Sequence, residues 1–238
     1  MTDSNKDNIL DIYEEIKDRI VRGQLSPDIK INQNKIAMEL GVSRTPVVKA
    51  LHMLKSEGLV DNIPNKGFYV HKISLQDTVE LYELRQAIEM VAAACTAEYA
   101  AIEDISQLKD IFTPFTAQAP INVEQYAEAD RIFHSRLIEL SRNNLLQKTN
   151  QSILILPKSF TSGLLRDPNE TLNEHFDIIE ALMNRNCRQA QDKVREHMEH
   201  TLMALRDAMT GLRKIGVDPG MIPVTDIAVN LTAGIKED

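Results

Sequence analysis

Apolar positions in this chain fall three and four residues apart over most of its length, the interval that buries one face of an α-helix. From Ile9 to Val21 the residues Ile9, Ile12, Tyr13, Ile16 and Ile20 keep that interval and Arg22-Gly23 supplies a stop, so the pattern predicts a first helix. Leu25-Ser26-Pro27 makes a turn. Asn32 then caps a short second helix carrying Ile36, Ala37 and Leu40, which ends at Gly41, where a left-handed residue is needed. Ser43 caps a third helix that admits Pro46 in its first turn, runs through Val47, Ala50, Leu51 and Leu54, and stops at Gly58. Only Gly41, Val42 and Ser43 separate the second helix from the third, the tight turn of a helix-turn-helix. Leu59-Val60 and Phe68-Tyr69-Val70, with Asn65, Lys66 and Gly67 at the tip between them, read as a two-stranded hairpin. A hairpin in that place is a wing.

After Lys72 no alternation of the β type returns until about Leu212. Helices are expected over Leu75 to Glu98, Ile102 to about Thr116, Asn122 to Leu140, Leu145 to Ser159, Thr171 to Asn184 and Cys187 to Leu212. Thr171 with Glu174 three residues on matches a capping box at the start of the fifth. From Gly216 to Asp238 there is Gly, Pro and no clear period, so a loosely ordered tail is expected. The fold class is therefore mainly α: residues 1–73 form a winged helix-turn-helix of three helices plus a small β-hairpin wing, residues 74–215 an all-helical bundle, and 216–238 the tail.

Composition narrows the class. With 238 residues and 43% apolar content the chain can fill two ordinary cores. It has no apolar run near the roughly 18 to 20 residues of a membrane span, and its polar start MTDSNKDN differs from a signal peptide, which places its action in the cytoplasm. Two cysteines, Cys95 and Cys187, build neither a disulfide framework nor a four-cysteine zinc site. The net charge of -8 argues against a general coat for nucleic acid, but Arg22 to Lys72 carries eight basic against four acidic residues. A locally basic module on an acidic body fits a protein that touches DNA with one end.

The stretch GVSRTPVVKALHMLKSEGLV followed by IPNKGFYV resembles the signature of the GntR family of bacterial transcriptional regulators. The second half resembles the FadR-type branch with its helical FCD ligand domain, through LYELRQAIE at positions 81 to 89, Asp130, His134 and two later histidines. The resemblance implies a DNA-binding regulator, most often a repressor, and no enzyme. The family usually has Arg then Glu where this chain has Val48 and Lys49, and Gly where it has Asp28, so the operator sequence does not transfer from relatives.

In such a module the first residues of the third helix, Ser43, Arg44 and Thr45, point into the major groove of operator DNA. Arg44 suits a bidentate contact to guanine, Lys49 and Lys66 suit phosphates, and Gly67 lets the wing backbone approach the minor groove. On spacing alone Arg44 and Lys49 read equally as solvated surface charges. One helix reads few base pairs, so a homodimer on a pseudo-palindrome is expected.

Asp130 and His134 lie four apart on one expected helix and emerge from the same face, with His175 and His197 on two others. Each histidine taken alone reads as an ordinary core or surface imidazole. Together the four resemble the metal-binding pattern of the FCD branch, with His200 the rival of His197 for the last position. An N₃O set suits a divalent ion, Zn, Ni or Mn, and leaves positions open for a small carboxylate or sugar-acid effector. Arg85 either binds that effector or pairs with Glu89 one turn on. A metal-dependent hydrolase or lyase is the alternative from the residues alone, with Glu174 beside His175 the nearest thing to a general base. A purely structural metal is another. Effector binding is expected to alter the pairing of two DNA modules through the linker around His71 to Leu75.

Overall fold

A computed structural model describes residues 9–25, 29–117, 120–150 and 166–222. Among them the chain divides into two compact units, one running to Lys72 and the other beginning at Ile73.

In the first unit, α1 (Ile9–Val21), α2 (Gln33–Leu40) and α3 (Arg44–Ser56) precede a hairpin of β1 (Val60–Ile63) and β2 (Gly67–Val70). The helix edges are set locally. Asn32 Oδ1 accepts a hydrogen bond from the Lys35 backbone N–H, and Gly41 closes α2 at φ +68°, a conformation that spares glycine the clash an ordinary side chain meets. Ser43 occupies the cap position of α3, but its hydroxyl makes no cap hydrogen bond, contrary to the expectation from sequence. Ile12, Ile16 and Ile20 of α1 bury against Val47, Leu51 and Leu54 of α3, all at most 4% exposed. The antiparallel register pairs Val60 with Val70 and Ile63 with Gly67, and Asn65 at φ +61° turns the tip. Ile31 N–H donates to Phe68 O, which ties the strand to the segment before α2.

The second unit is helical throughout. It contains α4 (Leu75–Tyr99), α5 (Ile102–Phe112), α6 (Val123–Leu140), α7 (Pro168–Met183) and α8 (Cys187–Lys214), with residues 144–150 also helical. The rest of the helix expected over Leu145 to Ser159 lies outside the described residues. Ser74 and Asp77 form a capping box that starts α4. The helix expected to reach Thr116 ends as α-helix at Phe112 and tightens into a 3₁₀ turn over Thr113–Phe115.

The capping box expected at Thr171 is not formed. Asp167 caps α7 instead, accepting from the Asn169 N–H, with Pro168 in the first turn where its missing donor costs nothing. Thr171 lies inside the helix, where its hydroxyl reaches the Tyr126 hydroxyl. Of the expected tail, Pro219–Met221 forms a 3₁₀ turn, and Ile222 O accepts from the Leu75 N–H, an orphan donor at the start of α4. The remainder lies outside the described residues.

The core of this unit is aromatic at its centre: Phe112, Tyr126 and Phe133 are fully buried and surround His175. Phe112 stacks on the His175 ring at 4.4 Å between centroids, nearly parallel at 11°.

Candidate metal centre and nucleic-acid interface

Four helices place the polar centre of the second unit. Asp130 and His134 come from one face of α6, His175 from α7, His197 from α8, and α4 supplies Arg85 and Glu89. The ligand atoms of Asp130, His134, His175 and His197 all lie within 4.8 Å of one another. Asp130 Oδ1 is 3.3 Å from His175 Nε2 and 3.7 Å from His134 Nε2, and the two Nε2 atoms are 3.5 Å apart. Ligand atoms around one ion at about 2.1 Å stand roughly 3.0 to 3.4 Å from each other, so Asp130, His134 and His175 are near that spacing, and the set of four could hold a divalent metal once it draws in from its 4.8 Å span. His200, the rival ligand, is exposed and turned to Glu174 on the far side of His197.

The opposite edge of every ring is held. His134 Nδ1 meets Glu89 Oε2 at 2.5 Å, His197 Nδ1 meets Glu174 Oε2 at 2.7 Å, and His175 Nδ1 meets the Tyr126 hydroxyl at 3.0 Å. If each Nδ1 keeps its proton for that partner, each Nε2 presents a lone pair to the centre, the tautomer a metal requires. The sequence presents Glu89 as a possible partner of Arg85 and Glu174 as a capping-box residue or a possible base, and gives no sign of Tyr126. These three act across 45, 23 and 49 residues. No short-range pattern carries such separations.

The charges follow from burial and pairing. Burial pushes His134 down, but Glu89 and Asp130 outweigh it and hold it up at about 9. Burial also pushes His175 down, to about 3, because its one carboxylate neighbour does not compensate and the other histidines repel a proton. His197 is likewise lowered, burial prevailing over Glu174. Burial raises Asp130, yet His134 and His175 hold it well below the ordinary carboxylate range.

Glu174, the one candidate base from sequence, accepts from Arg166 Nη1 at 2.7 Å and Nη2 at 2.8 Å, from His197 and from His200. Those partners overcome its partial burial and hold it far below its ordinary value. A carboxylate so committed is a poor proton acceptor.

Arg85 is buried and paired with Glu89, Nη2 to Oε1 at 3.0 Å, which is the pairing one turn apart that the sequence left open. It also lines a cavity of about 30 Å³ with Tyr82, Arg166, Thr171, Thr201, Asp130, His134 and His197. That is room for about one water molecule.

In the first unit, three of the six residues singled out for DNA share one groove between α3 and the wing. Arg44, Lys66 and Gly67 line it, while Ser43, Thr45 and Lys49 are exposed on the start of α3. Gly67 has φ +110°, a conformation that favours glycine, and a Cβ there would stand 2.8 Å from Cε of the flexible Lys30 side chain. Gln33 was not foreseen: its Oε1 accepts from Arg44 Nε at 2.8 Å.

Residues 8–70 match the family model described as "Bacterial regulatory proteins, gntR family", and residues 80–200 match that of the FCD domain. The chain belongs to the GntR family. This GntR protein is 35% identical over 127 residues to the Nta operon transcriptional regulator of Aminobacter aminovorans, a match covering 53% of this chain and 60% of that one. It is 24% identical over 199 residues to the HTH-type transcriptional repressor RspR of Escherichia coli strain K12, covering 82% of this chain and 87% of that one. Its fold is similar to that of E. coli McbR/YncC, with a TM-score of 0.65 at 21% identity over 84% of this chain and 97% of the other. It is thus a DNA-binding transcriptional regulator of the GntR type with an FCD domain. No helix among its described residues is long and apolar enough to cross a membrane.

Proposed function

We propose that this regulator is a repressor whose operator affinity is controlled by a small organic acid, a carboxylate or sugar acid, bound at a divalent metal held by Asp130, His134, His175 and His197. The observation that carries the reading is the convergence of one carboxylate oxygen and imidazole nitrogens from three helices, every ring anchored from behind. Zn, Ni and Mn all suit this donor set. When bound, the metal supplies a Lewis-acid site with open positions for an anionic oxygen.

The chain's own charges favour such a ligand. When metal binding displaces the His134 proton and the three histidines are neutral, Arg85 and Arg166 stand against Glu89, Asp130 and Glu174, one negative charge in excess. A divalent ion reverses that excess to one positive charge, and one carboxylate neutralises it. Arg85, Arg166, Thr171 and Thr201 bring donors to the cavity wall, though its 30 Å³ must widen to admit an organic acid.

On the DNA side, Arg44 contacts guanine, Lys49 and Lys66 meet phosphates, and two copies of the chain bind a pseudo-palindromic operator. Repression accords with the function stated in the name of the relative RspR. Reciprocity binds the two ends: an effector that weakens operator binding by some factor binds the operator complex more weakly by the same factor.

The test is a thermal-shift screen of chelator-stripped protein against divalent metals, crossed with a panel of small carboxylic and sugar acids, with His134→Ala as control. A metal-dependent rise in Tm that grows with one acid and vanishes in the control supports the reading. A rise with metal but with no acid makes the metal structural or itself the signal. No response to metal returns the four residues to the core.

A further inference from the structure

On α3, Val47, Ala50, Leu51 and Leu54 are fully buried and make the inward face. Arg44, Thr45, Lys49 and His52 are exposed and make the outward one. Val48 breaks this division: it stands one turn beyond Arg44, is only half-buried, and lines the groove between α3 and the wing beside Arg44, Asn62 and Lys66. The core does not need it there. On α3 it and Arg44 line the groove, whose remaining wall is mixed, with Lys30 and Lys66 basic and Ile31, Ile63 and Phe68 apolar.

Arg44 is not free to sweep this groove. Gln33 Oε1 holds its Nε at 2.8 Å, so one edge of the guanidinium is anchored to α2 and the two Nη groups remain for a base. The anchored arginine and the valine a turn later are about 6 Å apart along the helix axis. Along DNA that is one to two base-pair steps of about 3.4 Å. The only apolar feature that a base pair shows in the major groove is the C5-methyl of thymine.

We propose that Val48 is a specificity-determining residue that reads a thymine methyl group one or two base pairs from the guanine taken by Arg44. The proposal rests on the DNA-binding reading above and deepens it: the half-site contains a guanine and a nearby thymine recognised by different chemistry on one helix face. Gln33 is a positioning residue, since its Oε1 holds the Nε edge of Arg44.

The experiment uses the full chain and a pool of randomised duplexes. The enriched duplex is resynthesised with each thymine near a guanine replaced singly by deoxyuridine, which lacks only the methyl group. One such replacement in a half-site should weaken binding of the unaltered protein about fourfold, the worth of one buried methyl. Val48→Ala should bind the thymine duplex about fourfold more weakly and show no further loss with deoxyuridine, and its circular dichroism should match that of the parent. Gln33→Ala should lower discrimination at the guanine, with Gln33→Asn restoring part of it and the salt dependence unchanged.

Enrichment of a sequence in which no deoxyuridine replacement matters overturns the proposal and leaves the operator reading standing. Val48→Ala retaining the full sensitivity to deoxyuridine overturns it equally. Failure to enrich any sequence overturns the operator reading, and this inference with it.

Discussion

Glu174 accepts a hydrogen bond from His197 Nδ1 at 2.7 Å while that ring packs against those of His134 and His175. One carboxylate thereby sets both the tautomer and the angle of a candidate ligand, and Arg166 holds the carboxylate in turn. Glu174→Gln keeps the size but weakens the acceptor. It should lower metal affinity about 10- to 100-fold, read by competition with a chromophoric chelator. Unchanged affinity would mean that the ring is positioned by packing alone.

Phe112 stacks on His175 and touches Tyr126 and Phe133. Phe112→Ala should cost about 3 to 5 kcal/mol in denaturant unfolding of the second unit, because the cavity it leaves is walled by three helices that cannot all collapse. Metal affinity should fall with it as the His175 ring loses its support.

Gly41 ends α2 at φ +68°, and a Cβ placed there meets nothing within 4 Å. Gly41→Ala therefore isolates the backbone penalty of the left-handed region, about 1 to 2 kcal/mol, measurable as a shift in the urea midpoint at constant slope. A neutral result would show that the turn between α2 and α3 can relax.

Tyr13 on α1 donates to Glu57 at the end of α3, and Lys17 donates to Tyr13 at 2.6 Å. Burial, with Glu57 beside it, raises the phenol, and Lys17 is raised because Tyr13 and Glu57 outweigh its desolvation. Groups raised on folding contribute stability that is intact below their unfolded values, about 10 for both, and is lost as pH rises through the folded ones. The first unit should thus lose stability as pH rises past about 10. Tyr13→Phe, which lacks the phenol and its link to Lys17, should lose less over the same range in thermal melts.

Local chemistry made most of the fold legible. Asn32, Gly41 and Cys187 mark helix edges that depend on a few neighbours, and those edges stand where periodicity and capping place them. The start of α7 was misread because Thr171 and Glu174 imitate a capping box, while Asp167-Pro168, the true start, is itself a recognised pair of signals. At the centre, the four candidate ligands were visible as a pattern of residue types, whereas Glu89, Glu174, Tyr126 and Arg166 reach them only after the helices pack. Gln33 belongs with these: its bond to Arg44 spans 11 residues and two helices.

The hydrogen bond between Leu75 and Ile222 has a bearing on ancestry. Its 3.0 Å sets residue 222 beside the start of α4, so the two ends of the described part of that unit adjoin. A body with adjoining ends is a cassette: it can be cut out and spliced behind another DNA-binding head without stretching either partner. A circular permutant joined there and reopened between Arg142 and Asn143 should fold and keep its response to metal, and recombination could exchange sensors among regulators by the same door.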